Sequence, residues 1–568
     1  MTQIGPELPI SQEIYRTKYL QEGESFTAGM DRVADALADD DLHFQNLAEL
    51  LSLQKFLPAG RVQAAMGSGR HVTPYNCYVA PTIPDTMDGI MDGAKFSAKT
   101  MKLGGGMGYD FSPLRPRYAT IRSLDSHSSG PVSFMGIFDA MCATISSAGH
   151  RRGAQMGMLR VDHPDILEFV DAKANHDTLT NFNLSVAVTD EFMTAVRNGD
   201  VFPLRFEGKV YNWVGARYLW NKIMSATWDW AEPGVVFIDR VNAMNNLWYC
   251  ETIAATNPCA EQPLPPYGAC LLGSINLAKY VEEGDEGHLV IRLRDILEDI
   301  PTIVRAMDNV VDRAVYPHPE QENEAKSKRR MGLGVTGVAN ALEAIGHPYG
   351  TVGFRRILNE ILRAITNETY RASAKLAREK GPFPLFDREK YLKSAFVQGL
   401  DKDTRECIYL HGIRNSHLMS IAPTGTISLA ADNVSSGIEP VFSHGFTRTI
   451  NMPDGLREEH VDDYGVRVFD HYGRTADKLT VQDHVDVLNV AAYWMDSSVS
   501  KTCNVGADVT FQEFKDVYWK AYLGGSKGCT TYRASGKRHG ILNADESGPV
   551  HEGSACYIDP ETNTRTCE

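Results

Sequence analysis

A cysteine and a glutamate stand two residues apart in the sequence NPCAEQPL, residues 257–264. Two prolines and the lack of helical spacing of apolar residues predict a rigid loop here. In an extended loop, Cys259 and Glu261 point to the same side. A carboxylate raises the pKa of a neighbouring thiol, so the pair is unsuited to a thiolate nucleophile. It suits a cysteine that carries a hydrogen atom while Glu261 takes a proton from the same substrate.

Two further cysteines accompany this loop. Cys270 follows eleven residues later in YGACLLGSINL, and Cys77 lies far upstream in YNCYVA. Neither belongs to a C-x-x-C pair, so the spacing of zinc ligands is absent. Taken alone, each is more often a small buried hydrophobic residue. A cysteine hydrolase is disfavoured, because no Cys–His arrangement is recognisable.

The sequence PTGTIS, residues 423–428, predicts an anion site. Hydroxyl groups and free N–H groups converge where a helix is expected to begin. Taken alone, the segment is explained equally well as a helix N-cap. The glycine-rich stretch at residues 104–108 does not fit the dinucleotide-binding fingerprint, and we expect Gly106 to permit close approach of a nucleotide.

Two other polar segments are interpreted as loops. The sequence DSHSSG, residues 125–130, fits D-x-H-x-x-G, which ligates cobalt through histidine in some B12 enzymes. The downstream Ser and Gly-Gly elements of that motif are missing, so a polar loop is preferred. The Gly-rich basic segment at residues 149–158 reads as a solvated loop from composition alone.

Composition limits the class of protein. The chain has 568 residues, of which 43% are hydrophobic and 23% charged, which excludes disorder as the main state. Its net charge of −15 makes it a poor general nucleic-acid binder. No apolar run approaches the roughly 18 residues of a membrane helix, and no signal peptide is visible. Ten cysteines are far too few for a disulfide scaffold, so we expect a reducing, cytoplasmic location.

The elements that must position these residues alternate along the chain. Apolar residues three and four apart predict helices at residues 26–37, 44–53, 134–148, 163–173, 217–230, 294–315 and 354–380. Alternating or short apolar runs predict strands at residues 181–188 and 234–239. Repeated strand–helix alternation indicates an α/β fold with parallel strands. After residue 542 the chain is polar and carries a final pair of cysteines, which predicts a mobile tail.

Together these motifs resemble the large chain of ribonucleotide reductases. NPCAE followed by CLLGSINL is similar to the family's catalytic loop, and other motifs follow in the family's order: GGGMGYDFSPLRP, GPVSFM, DHPDILEF, RMGLGVTG, APTGTIS and GCTTYR. The resemblance covers roughly residues 20–545, and several motifs in order are far more specific than one. The proline after Asn257 and the sequence GCTTYRASGKR resemble the class II enzymes, which use adenosylcobalamin. No Tyr-Tyr pair typical of class I and no glycyl-radical motif typical of class III is present.

The resemblance implies a role for each residue of the loop. Cys259 would carry a thiyl radical that removes the 3′ hydrogen of the ribose, Glu261 would take the 3′-hydroxyl proton, and Asn257 would hold the substrate. Cys77 and Cys270 would be the dithiol that becomes a disulfide in each turnover. Adenosylcobalamin would supply the initiating radical, with cobalt only inside the cofactor.

Binding sites are also implied. The substrate would contact Asn76 and Gly106, and its phosphates would bind Pro423, Thr424, Gly425, Thr426, Ile427 and Ser428. A deoxynucleoside triphosphate effector would contact Asp85, Arg115, Arg151, Arg152 and Gln155 and would alter substrate specificity allosterically. Effector sites of the family lie at a dimer interface, so a homodimer is implied. Cys556 and Cys567 would pass electrons from a thioredoxin-like reductant, although their ten-residue loop is wider than in many relatives. The other cysteines are taken as structural.

The implied fold is a ten-stranded α/β barrel, built from two five-stranded parallel halves, with the Cys259 loop at its centre. We expect an N-terminal helical region without an ATP cone at residues 1–60, the barrel at residues 61–542 and the tail at residues 543–568. Two alternatives stay open: a class I-type large chain that needs a radical-generating subunit, and an inactive nucleotide-binding regulator. The sequence does not choose between ribonucleoside diphosphates and triphosphates.

Overall fold

The computed structural model describes residues 4–121, 125–147, 151–152, 154–174, 178–284, 287–452, 455–506 and 508–533, with short strands at 542–544, 547–550, 556–558 and 565–567. The core strands are β1 Cys77–Val79, β2 Gly106–Asp110, β3 Gln155–Arg160, β4 Phe182–Val188, β5 Gly234–Phe237, β6 Leu272–Asn276, β7 Gly332–Thr336, β8 Thr502–Val505 and β9 Gly528–Arg533. Helices cover much of the remaining chain, so the fold is mixed α/β, as expected.

The α-helices of the described residues are Pro9–Ile14, Phe26–Leu37, Asp41–Ser52, Gly60–Ala65, Met87–Lys102, Pro131–Thr144, Ile166–Asp171, Asp190–Asn198, Ala216–Trp230, Ile238–Ala243, Leu293–Arg313, Pro319–Lys328, Val338–Ala344, Val352–Lys380, Arg388–Tyr391, Ala395–Gln398, Lys402–His411, Gly425–Ala430, Tyr464–Phe469, Val481–Tyr493 and Phe511–Leu523. None of these helices, in the part of the chain that the structure describes, is both long enough and apolar enough to cross a membrane.

Two runs of parallel strands organise the core. In the first run, β1 to β5 are neighbours in chain order and every pair is parallel. In the second, β6 is parallel to β7 and β8 is parallel to β9. Parallel isolated bridges Leu333↔Met419 and Ile421↔Val499 lie between these two pairs in place of a continuous ladder. The number of strands in the barrel therefore stays a prediction.

The two runs meet through antiparallel pairs. β5 pairs with β9, with Val235 opposite Cys529. At the other edge, the short strand Ala269–Cys270 pairs with β1. This second junction places Cys270 opposite Cys77 of β1. The chain then enters β6 after one further residue.

The N-terminal helices begin at side-chain caps. The Ser25 hydroxyl accepts from the Ala28 N–H before Phe26–Leu37, and the Asp40 carboxylate accepts from the His43 N–H before Asp41–Ser52. The strand Phe56–Pro58 then pairs antiparallel with β6. The expected helical region thus joins the core sheet before its predicted boundary at residue 60.

Most long elements follow their apolar periodicity. The helices Ala216–Trp230, Leu293–Arg313 and Val352–Lys380 and the strand Phe182–Val188 confirm the predictions within a few residues. The helix expected at residues 163–173 is shorter and spans Ile166–Asp171. Its first part is replaced by a turn, because the His163 ring nitrogen Nδ1 accepts from the Asp165 N–H at 3.1 Å. The helix expected to reach residue 148 ends at Thr144.

Glycines in two core strands let other segments of backbone come close. A β-carbon at Gly108 in β2 would lie 1.8 Å from the carbonyl oxygen of Thr256. A β-carbon at Gly334 in β7 would lie 2.2 Å from the carbonyl oxygen of Ser420. These separations are far below van der Waals contact, so the glycine-rich motifs allow backbone to approach backbone at the centre of the fold.

Candidate active site

Cys259 lies at the tip of a short hairpin. The strands Ala255–Thr256 and Pro263–Leu264 pair antiparallel, and the turn between them is closed by reciprocal contacts of residues 257 and 262. The Asn257 N–H donates to the Gln262 carbonyl at 3.1 Å, and the Gln262 N–H donates to the Asn257 side-chain oxygen at 2.9 Å. Ala260 completes the turn at a positive φ of 64°. The rigid loop expected from the two prolines is confirmed.

Cys77 and Cys270 are direct neighbours across an antiparallel pair of strands. Cys270 is the register partner of Cys77, and both residues are buried. The amide nitrogen of Asn257 lies 3.8 Å from the Cys270 sulfur. Burial, followed by the nearby Glu261, Cys77 and Cys259, raises the pKa of Cys270 well above its usual range. The structure therefore brings together three cysteines that are separated by up to 193 positions, from Cys77 to Cys270.

Glu261 is a buried acid next to these thiols. Burial raises the pKa of Glu261 to about 7, against the lowering effect of a hydrogen bond from Asn257. Its oxygen Oε2 has no hydrogen-bond partner among the described residues. A carboxyl group with a pKa near neutrality exchanges a proton readily in either direction at physiological pH. Glu261 is therefore suited to proton transfer with a bound molecule.

A small cavity of about 590 Å³ opens on the Glu261 side of the loop. It is lined by Asn76, Cys77, Cys259 and Glu261, and on the opposite wall by the segment that starts at Pro423. The Asn76 oxygen Oδ1 is buried without a partner among the described residues. The cavity thus combines thiols, an acid and an amide around one space.

The predicted anion segment forms the opposite wall. Thr424 has a φ of 56° and precedes the helix Gly425–Ala430. Its hydroxyl accepts from the Gly437 N–H at 2.7 Å, and the Ser428 hydroxyl donates to the Thr424 carbonyl at 2.7 Å. Pro423, Thr424, Thr426 and Ile427 line the cavity, whereas Gly425 and Ser428 are not among its lining residues. The hydroxyls of Thr424 and Ser428 therefore stabilise the turn itself.

The other side of Cys259 faces a larger cavity of about 1000 Å³. Its walls include Asn183 from β4, Ser500 and Lys501 before β8, and residues 527–532 around β9. Cys259 and Pro258 separate it from the loop's interior. Sequence reasoning assigned no residue to this cavity, although the GCTTYR motif that lines it was recognised. Cys529, which was expected to be structural, is buried and also lines this wall.

Gly106 has the close approach that was expected, but to the chain itself. A β-carbon there would lie 3.1 Å from the Cys77 sulfur and 3.3 Å from the Pro258 side chain. His127 lies in an exposed two-residue strand, Ser126–His127, and lines neither cavity. The polar-loop interpretation of DSHSSG is consistent with this location.

The residues expected to bind an effector have other contacts. Arg115 and Asp85 form an ion pair with Nε and Oδ2 2.6 Å apart. The Gln155 side chain is buried, accepting from the Tyr109 hydroxyl at 3.0 Å and donating to the Phe138 carbonyl at 3.2 Å. The side chains of Arg151 and Arg152 lie outside the described residues. Effector binding by these residues stays a prediction.

The two tail cysteines are paired through their backbones. The strands Cys556–Ile558 and Arg565–Cys567 are antiparallel, and Cys556 is the register partner of Cys567. Their side chains lie outside the described residues. An antiparallel pair brings opposite residues within about 4.5–5.5 Å between α-carbons, so ten-residue spacing does not prevent two cysteines from meeting.

Comparison with known proteins identifies close relatives. A family model described as "Ribonucleotide reductase, barrel domain" matches residues 75–532. The chain is 33% identical to a vitamin B12-dependent ribonucleoside-diphosphate reductase of Thermoplasma acidophilum, over 95% of this chain and 72% of that protein. It is 32% identical to a protein of the same name from Mycobacterium tuberculosis, over 98% and 83%. A vitamin B12-dependent ribonucleotide reductase of Streptomyces clavuligerus is 28% identical, over 91% and 62%.

Proposed function

We infer that the chain, which belongs to the ribonucleotide reductase family as its motifs predict, is an adenosylcobalamin-dependent enzyme that makes deoxyribonucleotides. The observation that carries this conclusion is the position of Cys259, which lines two cavities at once. On one side lie a dithiol and an acid, the groups that a ribose reduction requires. On the other side is space for a cofactor. The names of the relatives supply the cofactor and the reaction.

The large cavity is the site that we assign to adenosylcobalamin. It is the larger of the two, and small residues such as Gly234, Ser185 and Ser500 line part of it. Lys501 and Thr530 would contact the cofactor's polar side chains. When bound, adenosylcobalamin supplies homolytic cleavage of a cobalt–carbon bond, which protein side chains cannot provide. Cys259 is the residue of this cavity that also reaches the substrate side.

In the proposed reaction, the Cys259 sulfur takes the hydrogen atom from carbon 3′ of the ribose. Glu261 takes the proton of the 3′ hydroxyl group, and its raised pKa matches that task. Asn257 holds the turn closed and keeps its amide beside Cys270. Water leaves from carbon 2′ as the sugar is reduced, and Cys259 finally returns a hydrogen atom to carbon 3′.

Cys77 and Cys270 supply the two electrons. Their two S–H bonds break and one S–S bond forms, so two hydrogen equivalents pass to the substrate and the 2′ oxygen leaves as water. The burial of both thiols supports this role, because a raised pKa keeps Cys270 as a hydrogen-bearing thiol instead of a thiolate. Their register across adjacent strands supports disulfide formation without a large movement.

The substrate is a ribonucleoside diphosphate in this proposal. Two of the relatives carry that substrate in their names. Asn76 and Gly106 lie beside the sugar position, and residues 423–428 bind the phosphates. The first turn of a helix has N–H groups without intrahelical acceptors, which suits an anion. The net charge of the chain does not oppose this, because the contact is local.

The proposed fold is a closed ten-stranded α/β barrel over residues 61–542. Two runs of parallel strands, joined at both edges by antiparallel pairs, support closure. The tenth strand would be the segment from Met419 to Ile421, which bridges to β7 on one side and to Val499 on the other. Residues 1–60 would be the helical region, and residues 543–568 the tail.

External electrons and regulation complete the proposal. A thioredoxin-like protein reduces Cys556 and Cys567, and this dithiol then reduces the Cys77–Cys270 disulfide. A deoxynucleoside triphosphate binds near Asp85, Arg115, Arg151, Arg152 and Gln155, at the interface of a homodimer. The Asp85–Arg115 ion pair would have to open or share its arginine with a phosphate.

The test is deoxynucleotide formation by the purified chain, with and without adenosylcobalamin, using ribonucleoside diphosphates and triphosphates and a small dithiol reductant. Turnover that requires the cofactor and no second protein supports the assignment. A requirement for a separate radical-generating subunit would point to a class I-type large chain. Nucleotide binding without turnover would point to an inactive regulator. Cys259→Ser should remove activity, and its retention would refute the assignment.

A further inference from the structure

The turn that carries Cys259 is held from two sides by side chains that the proposed reaction does not use. On one side, the amide nitrogen Nδ2 of Asn183 donates to the carbonyl oxygen of Pro258 at 3.0 Å. On the other side, the hydroxyl of Ser420 donates to the carbonyl oxygen of Glu261 at 2.8 Å. The two held carbonyls lie one residue before Cys259 and two residues after it.

These two contacts come from different runs of strands. Asn183 belongs to β4 in the first run. Ser420 lies in the segment that bridges to β7 in the second run, and it is fully buried. The Glu261 carbonyl also accepts the Ser498 N–H at 2.9 Å, so its position is fixed by two donors. The turn is therefore attached to both halves of the core.

The backbone between the two contacts is strained. Ala260 has a φ of 64°, a left-handed conformation that residues with a β-carbon rarely adopt. Such a conformation persists where surrounding contacts determine it. The Pro258 and Glu261 carbonyls flank this residue. Loss of the Asn183 contact therefore loosens one end of the turn, and loss of the Ser420 contact weakens the hold on the other end, where the Ser498 N–H remains. Cys259 and Glu261 would then shift relative to the two cavities.

We propose that Asn183 and Ser420 are positioning residues, Asn183 for the Cys259 sulfur at the large cavity and Ser420 for the Glu261 carboxyl at the small cavity. The inference rests on the proposed function and deepens it. Asn183 lines the large cavity beside Cys259. Ser420 acts from behind Glu261, which lines the small cavity. Each residue acts through a backbone carbonyl and touches no reacting atom.

The chain offers a matched control for Asn183. Asn181 lies two residues earlier and is buried, whereas Asn183 is half-buried, and the Asn181 amide nitrogen donates to the Asp139 carboxylate at 3.2 Å. Replacement of Asn181 removes an asparagine hydrogen bond of similar kind near the same strand without touching the loop. For Ser420, the variant Ser420→Thr keeps the hydroxyl and serves as the conservative rescue.

The experiment compares Asn183→Ala, Asn181→Ala, Ser420→Ala and Ser420→Thr in the full chain with adenosylcobalamin. Misplacement of reacting groups by about 1 Å costs on the order of 10²-fold in rate. We therefore expect kcat to fall by about 10- to 100-fold in Asn183→Ala and Ser420→Ala, with KM for the nucleotide changed less than about twofold. Asn181→Ala and Ser420→Thr should remain within about threefold of the original chain.

Two further readouts separate positioning from general destabilisation. The first is the rate at which iodoacetamide alkylates Cys259 without cofactor, followed by peptide mass spectrometry. It should change severalfold in Asn183→Ala and remain unchanged in Asn181→Ala. The second is the pH dependence of kcat/KM, whose acid limb should shift in Ser420→Ala and return to its original position in Ser420→Thr.

Equal behaviour of Asn183→Ala and Asn181→Ala in both rate and alkylation would overturn the role of Asn183. An unshifted acid limb with unchanged kcat in Ser420→Ala would overturn the role of Ser420. If Asn183→Ala does not fold, the same measurements on Asn183→Asp, which keeps the size of the side chain, decide the question. If the original chain makes no deoxynucleotide, the proposed function fails, and the alkylation rates still test the positioning of Cys259.

Discussion

The two cavities that meet at Cys259 differ in the chemistry of their walls. The small cavity carries Cys77, Glu261 and Asn76 within a space of about 590 Å³. The large cavity is of about 1000 Å³, and its lining combines serines, threonines, glycines and valines with the charged residues Glu232, Lys501 and Lys527. The small side therefore places an acid and thiols together, whereas the large side offers more space. This difference assigns the sugar chemistry to the small side and the radical source to the large side, with one sulfur between them.

Loss of the Cys77–Cys270 dithiol should give the largest difference between the two cavities, because it should stop turnover and leave cobalamin binding intact. Cys77→Ser and Cys270→Ser each remove one of the two electrons that a turnover needs, so we expect no sustained deoxynucleotide formation. Binding of cobalamin should stay within about twofold of the original, because neither residue lines the large cavity. Product analysis and an absorbance titration measure the two effects. Cys142→Ser is the control, and sustained turnover by Cys77→Ser would contradict the assignment.

The tail cysteines should matter only for the source of electrons. In Cys556→Ser, we expect turnover with a thioredoxin-like protein to be nearly lost and turnover with a small dithiol to be retained, since a small reductant can reach the buried disulfide directly. Steady-state rates with both reductants measure this. Equal loss with both reductants would mean that the tail has another role.

Filling the large cavity should weaken the binding of cobalamin and spare that of the nucleotide. Filling the small cavity should have the opposite effect. Ser500→Trp places a large ring in the large cavity, and Ala422→Leu places a larger side chain in the small cavity. We expect the Kd for cobalamin to rise at least about tenfold in Ser500→Trp, and the Kd for the nucleotide to rise similarly in Ala422→Leu. Each variant is the control for the other. Loss of both affinities in one variant would contradict the separation of the two sites.

The acid of the small cavity should set the pH dependence. Glu261 must be deprotonated to accept a proton, and burial raises its pKa to about 7. We therefore expect kcat/KM to fall about tenfold for each pH unit below that value and to level off above it. Rates between pH 5 and pH 9 measure this limb. An acid limb near pH 4.5 would mean that Glu261 is not the base.

Burial of Glu261 should also lower the stability of the folded chain at pH values above 4.5, the ordinary pKa of this acid. Between its ordinary value of 4.5 and about 7, the folded chain holds a proton that the unfolded chain has lost. The contribution of Glu261 to stability therefore falls as pH rises through this window, by on the order of 3 kcal/mol. Glu261→Gln should be more thermostable than the original chain at pH 8 and close to it at pH 4.5. The reverse order would show that the carboxylate is stabilised by contacts in the fold.

Much of this account follows from local sequence. The helix Val352–Lys380 is specified by the spacing of its apolar residues. The turn of residues 257–262 is specified by prolines close to one another in the sequence. The family resemblance, confirmed by the comparisons, brought Cys77, Cys270 and Glu261 together before any geometry was known. Cys77 and Glu261 line one cavity, and Cys270 is the register partner of Cys77, in agreement with that assignment.

Other features could not be read from the sequence. The large cavity is formed by β4, β5 and β9, which are separated by up to about 350 residues, and no local pattern encodes their pairing. In the sequence, Asn183 does not differ from any other polar residue of a half-buried strand. Only the folded structure brings its side chain into contact with Pro258. The His163 turn shortened a predicted helix because one ring nitrogen captured a backbone N–H group. Such contacts depend on the folded neighbourhood.

The most direct test of a sulfur that works between two cavities is to follow the hydrogen at carbon 3′ of the ribose. With a 3′-tritiated ribonucleoside diphosphate, adenosylcobalamin and a dithiol, we predict that some tritium reaches water through the exchangeable Cys259 S–H group, and that 3′ deuteration slows turnover. Both effects should disappear in Cys259→Ser together with product. Deoxynucleotide formation by the original chain without tritium release and without any isotope effect would contradict the account.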